Sequence, residues 1–162
     1  LEVITISDFG LVRIDDRLIH GQVVAVWCKH KNFKRIIILD DGVAKDSFMQ
    51  QVLRLAAPPG IQVEAMEVEA NIDLLNALPN KESVMLLMKT PQTAKRLFDA
   101  GLQFSNLNIG GMGIMQGRKN VYRNISMSDD EKSMLKELSD KGVKIALYIL
   151  PNDKSKPFTD LV

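Results

Sequence analysis

The sequence predicts an α/β domain: an open, mainly parallel, twisted sheet with helices on both faces. Three observations carry this reading. The runs Ile36-Ile37-Ile38-Leu39 and Val84-Met85-Leu86-Leu87-Met88 have no polar face, the mark of strands buried on both sides. Between such runs lie segments whose apolar residues recur at helical spacing. Strand and helix alternate about six times, as expected for parallel strands joined by crossovers.

The elements follow in order. Residues 11–14 are a short apolar strand, and residues 21–30 place Val23, Val24 and Trp27 on one helical face. Residues 35–39 are the second strand. Residues 43–57 are predicted to form one helix, with Phe48, Val52, Leu55 and Ala56 on the core stripe and Pro58-Pro59-Gly60 stopping it. Residues 61–68 alternate as a strand, and Ile72, Leu75 and Leu78 phase a short helix over 70–78. After the strand at 83–88, Thr90-Pro91 supplies a capping hydroxyl and a first-turn proline for a helix ending near Gly101. Leu107-Asn108-Ile109 is a brief strand before a glycine-rich segment, and 120–125 is read as one more strand. Ser128 and Glu131 have capping-box spacing and open a helix that ends at Gly142. Residues 143–150 form the last strand.

The 162 residues suit a single domain over 1–162, with 1–8 expected to be a tag or flexible leader. The chain is 46% hydrophobic and 25% charged, ordinary for a globular protein. A formal net charge of +1 gives no global electrostatic case for nucleic acid. No run has the length of a transmembrane helix and none resembles a signal peptide. The single cysteine, Cys28, forms no internal disulfide; it is read as a small buried residue in a reducing compartment.

Parallel strands deliver their carboxyl ends to one edge, and ligands of open sheets bind beyond that edge. Asp15 to His20, Asp40-Asp41, Lys89-Thr90-Pro91 and Gly110-Gly111-Met112-Gly113 all follow strands and are expected on that rim. The stretch Arg13-Ile14-Asp15-Asp16-Arg17-Leu18-Ile19-His20-Gly21-Gln22-Val23 is charged well beyond what a turn needs. His20 falls at the start of a helix, where unpaired N–H groups and partial positive charge favour phosphate. Arg17 adds a planar fork of donors. An imidazole with a free nitrogen is a nucleophile, and Asp15 or Asp16 could hold the other nitrogen. His20 with these neighbours could accept a phosphoryl group. The bland alternative is a capping histidine beside a solvated ion pair. His30, between Lys29 and Lys31, reads as surface.

Two other constellations invite a function. Gly110-Gly111-Met112-Gly113 with Gly117-Arg118-Lys119 resembles a phosphate cradle, which would make the chain a nucleotide-binding protein; it lacks the dinucleotide fingerprint and the Walker ending. Asp40-Asp41 could join Asp15 and Asp16 around a divalent cation, and Asp15, Asp16 or Asp40 could be the phosphorylated aspartate of a receiver-like signalling domain.

The eleven-residue stretch resembles the active-site signature of the B subunits (enzyme IIB) of the mannose–fructose–sorbose family of the bacterial phosphoenolpyruvate-dependent sugar phosphotransferase system. Further landmarks recur in the same order: Ala57-Pro58-Pro59-Gly60, Met85-Leu86-Leu87 before Thr90-Pro91, Asn108-Ile109-Gly110-Gly111-Met112, and a last helix before Gly142-Val143. The likeness runs from about Phe9 to near the C-terminus. It implies a sheet with one antiparallel edge strand. It implies a protein-Nπ-phosphohistidine–sugar phosphotransferase that takes the phosphoryl group on His20 from an A component, itself charged by HPr. The group then passes to a sugar delivered by the membrane C and D components. Arg17, Asp15, Gly21 and Gln22 are the expected phosphoryl-binding or orienting residues, with Arg13, Thr90, Gly110 and Gly111 as further rim contributors. No metal or cofactor is implied. The expected location is cytoplasmic, peripheral at the inner face of the membrane. The loop from Gly113 to Gly117 departs from mannose-type members. Sugar and oligomeric state are left open.

Overall fold

A computed structural model describes residues 8–162. The first strand, β1 (Leu11–Asp15), lies near the middle of a seven-stranded sheet. The other strands are β2 (Arg35–Leu39), β3 (Gln62–Met66), β4 (Val84–Met88), β5 (Asn106–Gly111), β8 (Lys144–Leu147) and β9 (Lys156–Pro157), in spatial order β3-β2-β4-β1-β5-β8-β9. All pairs are parallel except the edge pair of β8 with β9. Pro157 cannot donate to a ladder and sits on the edge strand, where no donor is required. A separate hairpin joins β6 (Lys119–Tyr122) to β7 (Ile125–Met127). The predicted strand at 120–125 is thus two strands and a turn. Arg123, at φ 45°, makes the reversal.

Helices cover both faces. On one, α1 (Gly21–His30) and α3 (Ser47–Ala56) place Val24, Trp27 and Leu53 against Leu11, Ile36, Ile38, Met85 and Leu87. On the other, α4 (Ile72–Asn76), α5 (Pro91–Asp99) and α6 (Asp129–Asp140) place Leu75, Leu97 and Leu135 against Val12, Ile14, Ile37, Leu86 and Met88. The even–odd alternation along β1, β2 and β4 divides the core between the two layers, as a pleated strand requires. The Ser128–Glu131 capping box forms as predicted, with both reciprocal bonds present. Thr90 caps α5 through the Thr93 N–H, with Pro91 in the first turn.

The helix predicted over 43–57 is broken. A one-turn α2 (Asp41–Ala44) ends before Asp46, whose carboxylate accepts the Met49 N–H and caps α3 anew. Of the predicted stripe, Phe48, Val52 and Leu55 face outward and only Ala56 packs against the core. Phe48 is 73% exposed and Leu55 81%, while Leu53 is the residue buried. Three other elements are shorter than predicted: β3, α4 and β8, the last because the chain leaves the sheet at Tyr148. Asp8, counted with the leader in the sequence reading, is fastened by its carboxylate to Ser105 and Asn106. Residues 1–7, the rest of that expected leader, lie outside the described residues.

β1 supplies the topological switch. Its own crossover runs through α1 on one face. Its neighbours β4 and β5 send α5 and α6 to the opposite face. The loop after β1 therefore parts from its neighbours at the carboxyl edge, which opens that edge to a ligand.

Candidate functional site

The loop from Asp15 to His20 is built from beneath. Arg13 points from β1 into the α1 layer, and its guanidinium is buried. One nitrogen donates to Asn108 Oδ1 at 2.6 Å and to the Ile149 carbonyl at 2.9 Å; the other donates to Asp15 Oδ2 at 3.2 Å. It also lies 5.7 Å from the Trp27 ring, whose Nε1 donates to the same Ile149 carbonyl. Burial pushes the Arg13 guanidinium down from its ordinary value, and Asp15 opposes that push. Arg13 was expected on the rim. It is instead a floor beneath it, because three acceptors converge where β1, β5 and the end of β8 meet.

Gly110 and Gly111 serve the same floor. Both lie within β5 and are buried, and each faces β1 at the level of the charges. A Cβ on Gly110 would fall inside the Arg13 guanidinium, and one on Gly111 would come within 2.8 Å of Asp15 Oδ1. The glycines thus make room for a buried ion pair. They form no cradle for a nucleotide, since the space a phosphate would need is taken by side chains.

Asp15 is buried, and both its oxygens are engaged. Oδ1 accepts the Arg17 backbone N–H at 3.0 Å and Arg17 Nε at 3.1 Å; Oδ2 accepts Arg13 Nη2 and Arg17 Nη2, each at 3.2 Å. The bond to Asp15 raises the Arg17 pKa, against a smaller opposing effect of burial. One carboxylate thus joins a buried arginine to a second arginine whose side chain is 39% exposed. Two planar contacts fix the Arg17 fork before any ligand arrives.

The turn then closes locally. Leu18 N–H donates to the Asp15 carbonyl at 2.9 Å, and Leu18 adopts φ 57°, a strained conformation for a branched side chain. Leu18 and Ile19 are buried in the α1 layer and hold the turn down. His20 follows as the N-cap of α1. It is exposed, in extended geometry, and its side chain makes no capping bond. Gly21 and Gln22 begin the helix, where the first N–H groups lack intrahelical acceptors. Neither aspartate is placed to hold the imidazole: Asp15 is occupied by arginines, and Asp16 turns the other way.

Asp16 meets the loop after β5. Its Oδ2 accepts the Gly113 N–H at 2.7 Å, and its backbone N–H donates to the Gly111 carbonyl at 3.1 Å. Arg118 secures the same loop. It donates to the Gly113 carbonyl at 3.0 Å and makes a two-pronged contact with buried Glu131, both bonds 2.8 Å. Burial opposes ionisation of Glu131, but the Arg118 and Ser128 bonds outweigh it and hold the carboxyl below its ordinary value. The Arg118–Glu131 pair was missed in the sequence; its partners are thirteen residues apart with a hairpin between.

The remaining acidic candidates do not gather. Asp40 caps α2 through the Val43 N–H and stands 3.6 Å from Lys89; Asp41 accepts the Val68 N–H and an Arg96 bond. Among the described residues, no group of three or more His, Cys, Asp or Glu is arranged to hold a metal ion. Thr90 is spent on its cap, at the end of the strand beside β1. Cys28 is half-buried and its thiol is pushed up by burial, away from reactivity. No helix among the described residues is long and apolar enough to cross a membrane.

Comparison with known proteins agrees with this geometry. The family model of the PTS system sorbose subfamily IIB component matches residues 9–162. The sorbose-specific EIIB component of Lacticaseibacillus casei is 38% identical over 146 residues, covering 90% of this chain and 89% of that one. The mannose-specific EIIAB component of Escherichia coli K12 is 35% identical over 154 residues; this chain spans about half (48%) of that relative's length. The crystal structure of the IIBSor domain of the sorbose permease from Klebsiella pneumoniae superposes with a TM-score of 0.85 at 36% identity, covering 95% of each chain. The signature loop, the switch-point strand beneath it and the match along nearly the whole length agree, and the chain belongs to the EIIB components of the mannose/fructose/sorbose family of the sugar phosphotransferase system.

Proposed function

We propose that His20 is the residue on which this EIIB component carries the phosphoryl group during sugar uptake. The observation that carries the proposal is an exposed imidazole at the start of α1 that makes no capping bond, three residues after an arginine fork clamped by a buried carboxylate. The neutral ring of His20 attacks phosphorus on the phosphohistidine of the A component. A new P–N bond forms as the donor's P–N bond breaks in line. The transition state for such transfers is loose, so positioning and charge neutralisation supply most of the rate. Arg17 and the N–H groups of the first turn, at Gly21 and Gln22, hold the equatorial oxygens. In the second step a sugar hydroxyl attacks phospho-His20: an O–P bond forms as the P–N bond breaks, the imidazole leaves, and the hydroxyl proton passes to a base of the membrane component.

EIIB components work with EIIA and with membrane EIIC and EIID partners, and the site suits alternation between two of them. His20 stands on an open rim, so donor and acceptor can reach the same nitrogen in turn. The subunit would then act at the inner face of the membrane, where the C and D components present the sugar. The receiver-like reading gains nothing: Asp15 is buried between two arginines and Asp40 is a helix cap.

The test is labelling with phosphoenolpyruvate, enzyme I, HPr and the A component. The native protein should take up about one equivalent of acid-labile, alkali-stable phosphate, and His20→Ala none. Hydroxylamine-labile label would point to an aspartyl phosphate and end the proposal.

A further inference from the structure

Resting on the carrier reading above, we propose that the outward apolar stripe of α3 is the docking surface for the A component that charges His20. The stripe is Phe48, Val52 and Leu55, at i, i+4 and i+7, with Met49 beside it and Val26 of α1 also exposed. Phe48 and Leu55 are the two most exposed members, at 73% and 81%. Exposed large apolar side chains gathered in register on a helix mark an interaction face rather than scatter. The helix is nearly uncharged: Arg54 is its one ionic side chain, and its Nε turns inward toward the Val63 carbonyl.

The stripe leads to the phosphorylation loop. The Ala56 carbonyl at the end of α3 stands 3.3 Å from where a Cβ on Gly21 would be, and Ala56 and Ala57 pack in the same layer as Leu18 and Ile19. A protein that brings its own histidine in line with His20 must cover the ground beside Gly21, and its footprint then extends along α3. The other half of the rim has a different character. There Arg123 and Lys156 flank the Tyr122 ring at 5.5 and 5.8 Å, and Tyr122 Oη donates to the Lys154 carbonyl. Those two cations, beyond β5 and β8, suit the partner embedded in an anionic membrane leaflet. The uncharged outward stripe of α3 suits the water-soluble one. His20, after the central β1, lies between them.

The test is the double variant Phe48→Asp with Leu55→Lys. Both side chains are exposed, and each new charge complements the helix end it occupies, so folding is kept. Two steps are timed separately: uptake of label from phosphorylated A component, and transfer from pre-phosphorylated EIIB to sugar on membrane vesicles carrying the C and D components. The proposal expects the A-component concentration for half-maximal uptake to rise at least about tenfold, as loss of an interface anchor does. It expects the second step to stay within about twofold. Unchanged uptake, or a loss confined to the second step, overturns it. So does a wild-type dimer in sedimentation that the variant splits, since the stripe would then belong to a second copy. His20→Ala protein should still compete for the phosphorylated A component, and the double change in that background should abolish competition. That result stands whichever residue takes the phosphoryl group, so failure of the docking face and failure of the His20 assignment are told apart.

Discussion

Gly110→Ala is the sharpest probe of the floor under the site. One methyl group would enter the volume of the Arg13 guanidinium, with all three nearest atoms under 3.0 Å, a separation real Cβ atoms essentially never show. Those atoms belong to a side chain that cannot swing aside freely, because its nitrogens are held by Asn108, Ile149 and Asp15 at 2.6, 2.9 and 3.2 Å. A displacement of about 1 Å breaks bonds of this length. Asp15 then keeps only Arg17, buried Asn108 Oδ1 loses its donor, and the Ile149 carbonyl keeps only Trp27 Nε1. Breaking a buried charge pair costs about 3–5 kcal/mol, and this loss is set against a typical total stability of about 5–15 kcal/mol. We expect Gly110→Ala to cost about 3–5 kcal/mol in urea unfolding, with the m-value unchanged. The cause is separable by a double-mutant cycle. In an Arg13→Ala background the same methyl meets empty space, so its further cost should be under about 1 kcal/mol, a coupling of at least about 2 kcal/mol. Equal costs in both backgrounds would refute the reasoning, because the glycine would then be needed for some other reason.

Arg17→Ala should separate rate from stability. The side chain is partly exposed and buried Asp15 keeps its bond to Arg13, so unfolding free energy should fall by less than about 1 kcal/mol, while phosphoryl uptake slows about 100-fold or more, measured by rapid-quench labelling. Arg118→Met should strand buried Glu131 and destabilise by about 3–5 kcal/mol in urea titration. The Glu131 carboxyl is held below its unfolded value of about 4.5, so its contribution is present above that pH and is lost as pH falls through the lower folded value. Glu131→Gln should therefore flatten the acid limb of the stability profile, read from unfolding curves between about pH 5 and pH 3. Gly21→Val should slow uptake far more than Gly21→Ala, since a bare Cβ sits 3.3 Å from the Ala56 carbonyl and the added methyls crowd that carbonyl or the phosphate.

Much of the fold was legible because its signals are local. Runs such as Ile36 to Leu39 can only be buried strands, and Thr90-Pro91 and Ser128–Glu131 cap helices through neighbours in sequence. The helix over 43–57 misled for a physical reason. Its apolar periodicity is real, but periodicity marks a stripe without saying which way it faces, and here Phe48, Val52 and Leu55 face outward while Leu53 is buried. The loop residues that touch ligand in the proposed mechanism, Arg17 and His20, also stood out, because a plain turn needs neither side chain. Arg13 was assigned to the rim by proximity in sequence, whereas strand alternation sends it under the sheet edge, toward acceptors 95 and 136 residues away. The role of Gly110 and Gly111 was hidden for the same reason. Their constraint is a side chain on a neighbouring strand, and strand order cannot be read from one chain's local pattern.

The central claim is that one exposed imidazole carries the phosphoryl group from the A component to the sugar. Mass spectrometry of the protein charged through phosphoenolpyruvate, enzyme I, HPr and the A component, digested at alkaline pH, tests it most directly. The account predicts a single phosphorylated peptide with the modification on His20, discharged when sugar and membranes bearing the C and D components are added. Modification at His30 or at an aspartate, or a phospho-His20 that sugar and those membranes leave untouched, would contradict it.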